Sequence, residues 1–246
     1  MTAIPWLDPA GEPRFPPTAR ARRDINGLLA AGGALREPWL LAAYRRGIFP
    51  WFNEGEPTLW WAPDPRAMFV PGAVHASRRL RRRLRQDASL RLSFDRCFEH
   101  VVDRCAAPRD GHSETWLGPQ MRRAYLELHR AGHAHSVEVW AGGRLIGGLY
   151  GPVLGGAFFG ESMFSAAADG SKIALLLLSE QLYRWDFTLL DCQLLTPHLA
   201  RLGAREIPRT QFERQLALAL ARPPVARWRF DADLAEPRRH FAAEVV

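Results

Sequence analysis

The sequence predicts a mixed α+β chain, with a small N-terminal domain (1–64) leaning on a larger mixed-sheet domain (65–246). Three observations carry this reading. Runs that alternate apolar and polar residues interleave with runs of helical period. Gly142 and Gly143 sit between two alternating runs, the mark of a tight hairpin. In "WWAPDPR" (60–66), Pro63 and Pro65 break regular structure and set the boundary. With 246 residues, 47% of them apolar and 24% charged, the chain can bury a substantial core.

The elements follow in order. Residues 1–20 read as a proline-rich arm. After a turn, a short helix runs from about Glu37 to Arg46, with Pro38 in its first turn and Gly47 as its stop. Arg78 to Arg85 is helical, held by Leu80 and Leu84 at i, i+4. A further helix spans Pro119 to Arg130 and closes at Gly132. "HSVEVWAGGRLIGGLYG" (135–151) is the hairpin, and "GGAFFGESMF" (155–164) adds one strand. A helix over 169–185 takes Asp169 or Ser171 as its N-cap. "FTLLDCQLL" (187–195) is a buried strand. Short helices follow at "TPHLARLG", ended by Gly203, and at "RTQFERQLALAL".

Composition excludes several classes. The longest apolar run, "IALLLL", falls far short of the roughly 18 residues that span a membrane. The N-terminal segment, with Asp8 and several prolines, lacks the pattern of a secretion signal. Cys97, Cys105 and Cys192 share no metal or redox spacing, which fits a reduced cytoplasmic setting. A net charge of +7 favours polyanionic partners. No G-x-G-x-x-G or Walker loop is present. His129, His133 and His135 only loosely resemble a ligand set, because Gly132 interrupts their helix; they read as structural, and no metal is expected.

Four stretches can carry chemistry. "SRRLRRRLR" places Arg78, Arg79, Arg81, Arg82, Arg83 and Arg85 on one helix. Spacing alone leaves two readings open: a phosphate-binding surface, or a solvated face. Trp51 in "GIFPWF" and Trp116 in "GHSETWLGP" stand in loops, where an aromatic ring can be presented for stacking or folded into the core. Glu161 lies between the apolar pairs Phe158–Phe159 and Met163–Phe164. A buried acid there needs an arginine partner or receives a cationic ligand. Finally, strand alternation puts Asp191 and Gln193 on one face, opposite Leu190 and Cys192.

In order along the chain, "NGLLAAGG", "RGIFPWF", "WWAPDPR", "AYLELHRAGHAHSVEVW", "GGLYG", "GESMFS" and "DCQLLTPHLARLGA" resemble the leucyl/phenylalanyl-tRNA–protein transferases. Departures from the family pattern fall at Ala34, Leu149, Ala166 and Gly170. The resemblance implies that the larger domain is similar to the acetyltransferase (GNAT-like) superfold. It implies transfer of Leu or Phe, and Met less well, from Leu-tRNA or Phe-tRNA to proteins with N-terminal Arg or Lys, creating a degradation signal. No cofactor is needed, because the tRNA ester supplies the driving force, and a cytoplasmic monomer is expected. It places the 3′-terminal adenosine against Trp51 and Trp116, with Tyr125 nearby. The amino-acid side chain would enter a pocket of Leu149, Phe158, Met163, Leu178 and Leu190. The arginine helix would bind the acceptor stem. The family's proposed relay has Asp191 polarise Gln193, which helps remove the amine's proton. A neutral amide is a very poor base, so our own reading of the residues has Gln193 orient the amine, Asp191 stabilise its developing charge, and Glu161 receive the cationic N-terminal residue by its amine or its side chain. The competing readings are an acetyl-CoA-dependent N-acetyltransferase, whose phosphate loop "AAADGSKIAL" does not supply, and a non-catalytic tRNA-binding protein, which leaves the three site residues unexplained.

Overall fold

A computed structural model describes residues 4–107, 117–238 and 240. The N-terminal strands β1 (Trp6–Leu7), β2 (Leu28–Gly32), β3 (Phe49–Pro50) and β4 (Leu59–Trp61) form a four-stranded sheet in the order β1-β2-β4-β3. Helix α1 (Glu37–Tyr44) packs beside it, with Pro38 in its first turn. Part of the proline-rich arm is thus strand, since β1 pairs in parallel with β2. All five residues of β2 are buried, so no alternation marks it in the sequence.

The larger sheet is built from β5 (Arg66–Phe69), β6 (Leu90–Phe94), β7 (Ala134–Ala141), β8 (Arg144–Leu154), β9 (Ala157–Phe159), β10 (Ser162–Ser165), β11 (Leu189–Gln193) and β12 (Arg205–Ile207). Its order is β12-β5-β11-β9-β8-β7-β6, with β10 also on β8. The helices are α2 (Arg78–Gln86), α3 (Phe98–Ala106), α4 (Pro119–Arg130), α5 (Gly170–Arg184), α6 (Pro197–Arg201), α7 (Arg209–Leu220) and α8 (Ala232–Ala235). Their observed bounds match the mixed α+β reading closely at α4, α5, α6 and α7. The β7–β8 hairpin turns at Gly142 and Gly143, both with positive φ.

Two cores lie on opposite faces of this sheet. On adjacent strands, Met68, Phe159 and Asp191 are in register and face the core shared with α1, α3, α4 and α7. Phe69, Phe158 and Leu190 face the core shared with α2 and α5. Helix α5 lies very close to β8. A Cβ on Gly147 would stand 2.5 Å from the Gly170 Cα, and one on Gly170 would overlap the Ile146 carbonyl oxygen. Two glycines therefore let backbone meet backbone at the start of α5.

The segment 155–164 differs from the single strand expected. It divides at Gly160–Glu161 into β9, paired to β8 at Val153–Leu154, and β10, paired to β8 at Gly147–Tyr150. The capping of α5 also differs. Asp169 occupies the N-cap position with φ 62° and makes no cap hydrogen bond. Its carboxylate instead accepts from Arg79 at 3.0 Å and Lys172 at 3.1 Å, and Ser165 Oγ accepts from the Ser171 backbone N–H at 2.8 Å.

Candidate active site

A cavity of about 310 Å³ opens where β10 parts from β11. Its apolar wall comes from Leu149, Met163, Leu175 and Leu190, extended by Phe69 and Leu199. Glu161 and Gln193 supply its polar end, and Trp51 stands at its edge. A small, mainly apolar cavity with a few polar groups at one end is the form of a small-molecule site.

Three of the five expected pocket residues line it. Phe158 and Leu178 do not: both are fully buried in the core behind the wall. Leu175, one turn earlier on α5, takes the place expected of Leu178. The 15-residue helix is apolar on most sides, so its sequence does not say which turn meets the cavity.

The pair Asp191 and Gln193 corrects a second expectation. The register of β11 against β5 shifts between them, and Gln193 has φ 58°. This bulge breaks strict alternation. Asp191 is completely buried and gives both oxygens to Arg66, at 2.8 Å from Nε and 2.6 Å from Nη2. The Asp191 carboxylate is therefore held in a buried ion pair, with both oxygens engaged by Arg66. It also accepts from the Gln193 backbone N–H at 3.1 Å, which makes it the anchor of the bulge. Gln193 donates from Nε2 to Glu161 Oε1 at 3.2 Å.

Arg66 has a demanding position. Its guanidinium lies 4.7 Å from the ring centres of both Phe49 and Phe212 and donates to the Gly47 carbonyl at 2.9 Å. It thus joins the segment leading into β3 to the strand that carries Asp191. The sequence reading assigned Arg66 no role. The rule that a buried carboxylate needs a cation demanded some arginine for Asp191, but nothing in the spacing selects this one.

Glu161 is half-buried and takes neither reading offered for it in full. It has no arginine partner within ion-pair distance among the described contacts. Instead the hydroxyl of Tyr44 donates to Oε1 at 2.8 Å and that of Tyr125 to Oε2 at 2.6 Å. Burial raises its pKa to about 7, against the lowering effect of the two tyrosines; the Asp191 charge adds to the rise and Arg66 opposes it. Tyr125, expected beside the adenosine, is fully buried beneath Glu161 and cannot stack on a base. Tyr44, which the sequence reading passed over, is equally buried and lies 3.0 Å from the Tyr125 hydroxyl.

Trp51 is presented as a loop position suggested, at 42% exposure, with its ring 5.6 Å from that of Trp61. Trp116 lies outside the described residues. On α2, Leu80 and Leu84 are buried and Ser77 caps the helix. Arg78, Arg79, Arg81 and Arg82 are exposed, while Arg83 and Arg85 are half-buried. Two of these arginines contact the entry to α5: Arg79 through Asp169, and Arg83 through the Ala168 carbonyl.

Of the three histidines, His129 and His135 meet Asp95, while His133 lies 3.6 Å from Glu37. His135 Nδ1 is 2.6 Å from Asp95 and its ring stacks on Trp228; His129 Nδ1 is 2.8 Å from the Ala134 carbonyl and its ring stacks on Phe98. These contacts account for both rings as packed, hydrogen-bonded histidines, His135 buried and His129 half-buried.

Comparison with known proteins connects the two sheets to one family. The leucyl/phenylalanyl-tRNA protein transferase family model matches residues 68–217, and the model of that family's N-terminal domain matches residues 33–64. The chain is 52% identical to the leucyl/phenylalanyl-tRNA–protein transferase of Azoarcus sp. (strain BH72), over 92% of this chain and 95% of the relative. It is 55% identical to that of Aromatoleum aromaticum, over 85% and 87%, and 52% identical to that of Alkalilimnicola ehrlichii, over 95% and 92%. Such identity across nearly the full length of both partners leaves one conclusion: the chain belongs to the leucyl/phenylalanyl-tRNA–protein transferase family.

Proposed function

We propose that this aminoacyltransferase moves Leu or Phe from Leu-tRNA or Phe-tRNA to the N-terminal Arg or Lys of acceptor proteins. The observation that carries this reading is the cavity, apolar along one wall and ending at Glu161 and Gln193. The donor side chain lies against Leu149, Met163, Leu175 and Leu190. Its ester carbonyl then faces the polar end. An apolar pocket separates side chains that differ by one methylene by only about 1–3 kcal/mol, so more than one apolar amino acid passes. Trp51 offers its exposed face to the terminal adenosine, and the exposed arginines of α2 offer forks to acceptor-stem phosphates.

The attacking group is an α-amine with an ordinary pKa near 8. A useful fraction is already neutral at physiological pH, so the site has mainly to hold two reactants in line. Gln193 orients the amine, and Glu161 faces its positive character. Asp191 acts at one remove, fixing the bulge from which Gln193 projects. This reading gives the enzyme a cytoplasmic setting, where charged tRNA is found, and a monomeric form. The domain division at 64/65 falls between the last strand of the small sheet and the first of the large one.

The test is transfer of labelled leucine from Leu-tRNA to a peptide beginning with Arg, beside the same peptide beginning with Ala. Transfer to the Arg peptide alone is expected. Equal transfer to both would remove the cation-selective acceptor site, and no transfer to either would remove the activity.

A further inference from the structure

Glu161, Tyr44 and Tyr125 form a closed ring of three short contacts: 2.8 Å, 2.6 Å and 3.0 Å. Each tyrosine carries one hydroxyl proton, and an ionised carboxylate carries none. With Glu161 ionised, both tyrosine protons point at it, and two protons serve three contacts. The Tyr44–Tyr125 contact then holds two facing oxygens with no proton between them. One added proton completes the ring. The protonated carboxyl donates to one tyrosine, that tyrosine to the other, and the second tyrosine back to the free carboxyl oxygen. Every hydroxyl is then both donor and acceptor, with no change of heavy-atom position. The network is built with room for one more proton.

The other groups at the cavity are poorly suited to take a proton. Both Asp191 oxygens are held by Arg66. Burial pushes the Cys192 thiol far up, so it stays protonated. Gln193 is a neutral amide, too weak a base to keep a proton; it can orient the amine but not deprotonate it.

We propose that Glu161 is the proton acceptor of the transfer step, with Tyr44 and Tyr125 as positioning residues. This rests on the transfer activity proposed above. The amine nitrogen bonds to the ester carbonyl carbon, and the proton it sheds goes to Glu161. The carbonyl–ribose C–O bond then breaks, and the leaving ribose oxygen takes that proton as its hydroxyl. The products are a peptide bond and uncharged tRNA, and Glu161 is ionised again. Groups facing Glu161 come from every element around it: Tyr44 on α1, Tyr125 on α4, Tyr150 on β8, Arg66 on β5, and Asp191 and Gln193 on β11. Its pKa of about 7 is set by that surrounding and suits an acceptor working near neutral pH.

The experiment uses the full chain with preformed Leu-tRNA and a saturating Arg peptide, between pH 5.5 and 9. E161Q is expected to lower the saturating rate about 100-fold, with KM for the peptide within a few-fold of wild type. Y125F and Y44F each remove a hydrogen bond that lowers the Glu161 pKa, so each moves the acid limb of the rate profile to higher pH. The amine's own titration is common to all variants and cannot produce that movement. Undiminished Leu-tRNA binding shows that each variant is folded. An E161Q protein that keeps its saturating rate within three-fold, or that changes only KM, overturns the proposal in favour of simple cation reception. So does an acid limb that stays fixed in both tyrosine variants. Wild-type protein that transfers nothing removes the activity and this proposal together, whereas an active wild type beside an active E161Q removes this proposal alone.

Discussion

The six arginines of α2 and the single Arg66 carry the same charged group in opposite surroundings. On α2 the heads of Arg78, Arg79, Arg81 and Arg82 are exposed, and their stems flank the buried Leu80 and Leu84. Arg66 is 1% exposed and is held by two carboxylate oxygens, one carbonyl and two aromatic rings. Water solvates the exposed group whether or not a partner is present, so each position tolerates change. A buried guanidinium has only the partners the fold gives it, and each of those is committed in turn. Charge density therefore marks where a polyanion can bind, while an isolated buried charge marks what the fold must hold still.

The sharpest way to break this contrast is Arg66→Met. It leaves Asp191 buried and unpaired, and a loss of about 3–5 kcal/mol in urea unfolding is expected. Adding Asp191→Leu should recover most of that loss, since a buried pair replaced by apolar residues is often near neutral. A double variant no more stable than Arg66→Met would show that the aromatic and carbonyl contacts, not the ion pair, need the guanidinium.

The next effect is at Glu161, whose pKa is raised from 4.5 to about 7 in the folded protein. The folded state therefore binds the proton more tightly than the unfolded chain. The stability this supplies is fully present below about pH 4.5 and is lost as pH rises through about 7. Glu161→Gln should be more stable than wild type at pH 8 by about 2 kcal/mol, allowing for partial solvent screening, and equal to it near pH 4.5. Equal stability at both values would mean that the fold fully compensates the buried charge.

A smaller change is expected from Leu175→Ala, which enlarges the cavity. The Phe-over-Leu ratio of kcat/KM should rise about ten-fold, or about 1.4 kcal/mol. An unchanged ratio would place the donor side chain elsewhere. The smallest effect belongs to α2. Exposed Arg82 and half-buried Arg83 changed to Ala should weaken tRNA binding by less than about 1 kcal/mol per residue and flatten the salt slope by about 1.5. Binding that keeps its slope would make α2 a solvated face and nothing more.

The same contrast explains what could be read from the sequence. Helices α4 and α5, the β7–β8 hairpin and the arginine face of α2 were legible because period, caps and glycines act locally. The cavity-lining residues Leu149, Met163 and Leu190 were legible through the family resemblance, and Glu161 stood out by its place between two apolar pairs. Strand β2 was not, because a strand buried on both sides has no alternation. The bulge at Gln193 leaves no local mark, so alternation does not show the register shift between it and Asp191. Tyr44 and Arg66 lie 117 and 125 residues from their carboxylate partners. Only the folded topology brings those pairs together.

The close meeting of Gly147 and Gly170 has a consequence for anyone redesigning the donor specificity of this enzyme. A side chain at either position would have to occupy space already filled by backbone of the facing element, so the first turn of α5 keeps its place beside the cavity only with glycine at both. Libraries that vary these two glycines would return mostly unfolded clones. The useful diversity for testing the proposed donor pocket lies in the cavity-lining side chains that hang from this frame, Leu175 on the helix and Leu149 on the strand. Exchanging their volumes leaves in place the elements that bear them.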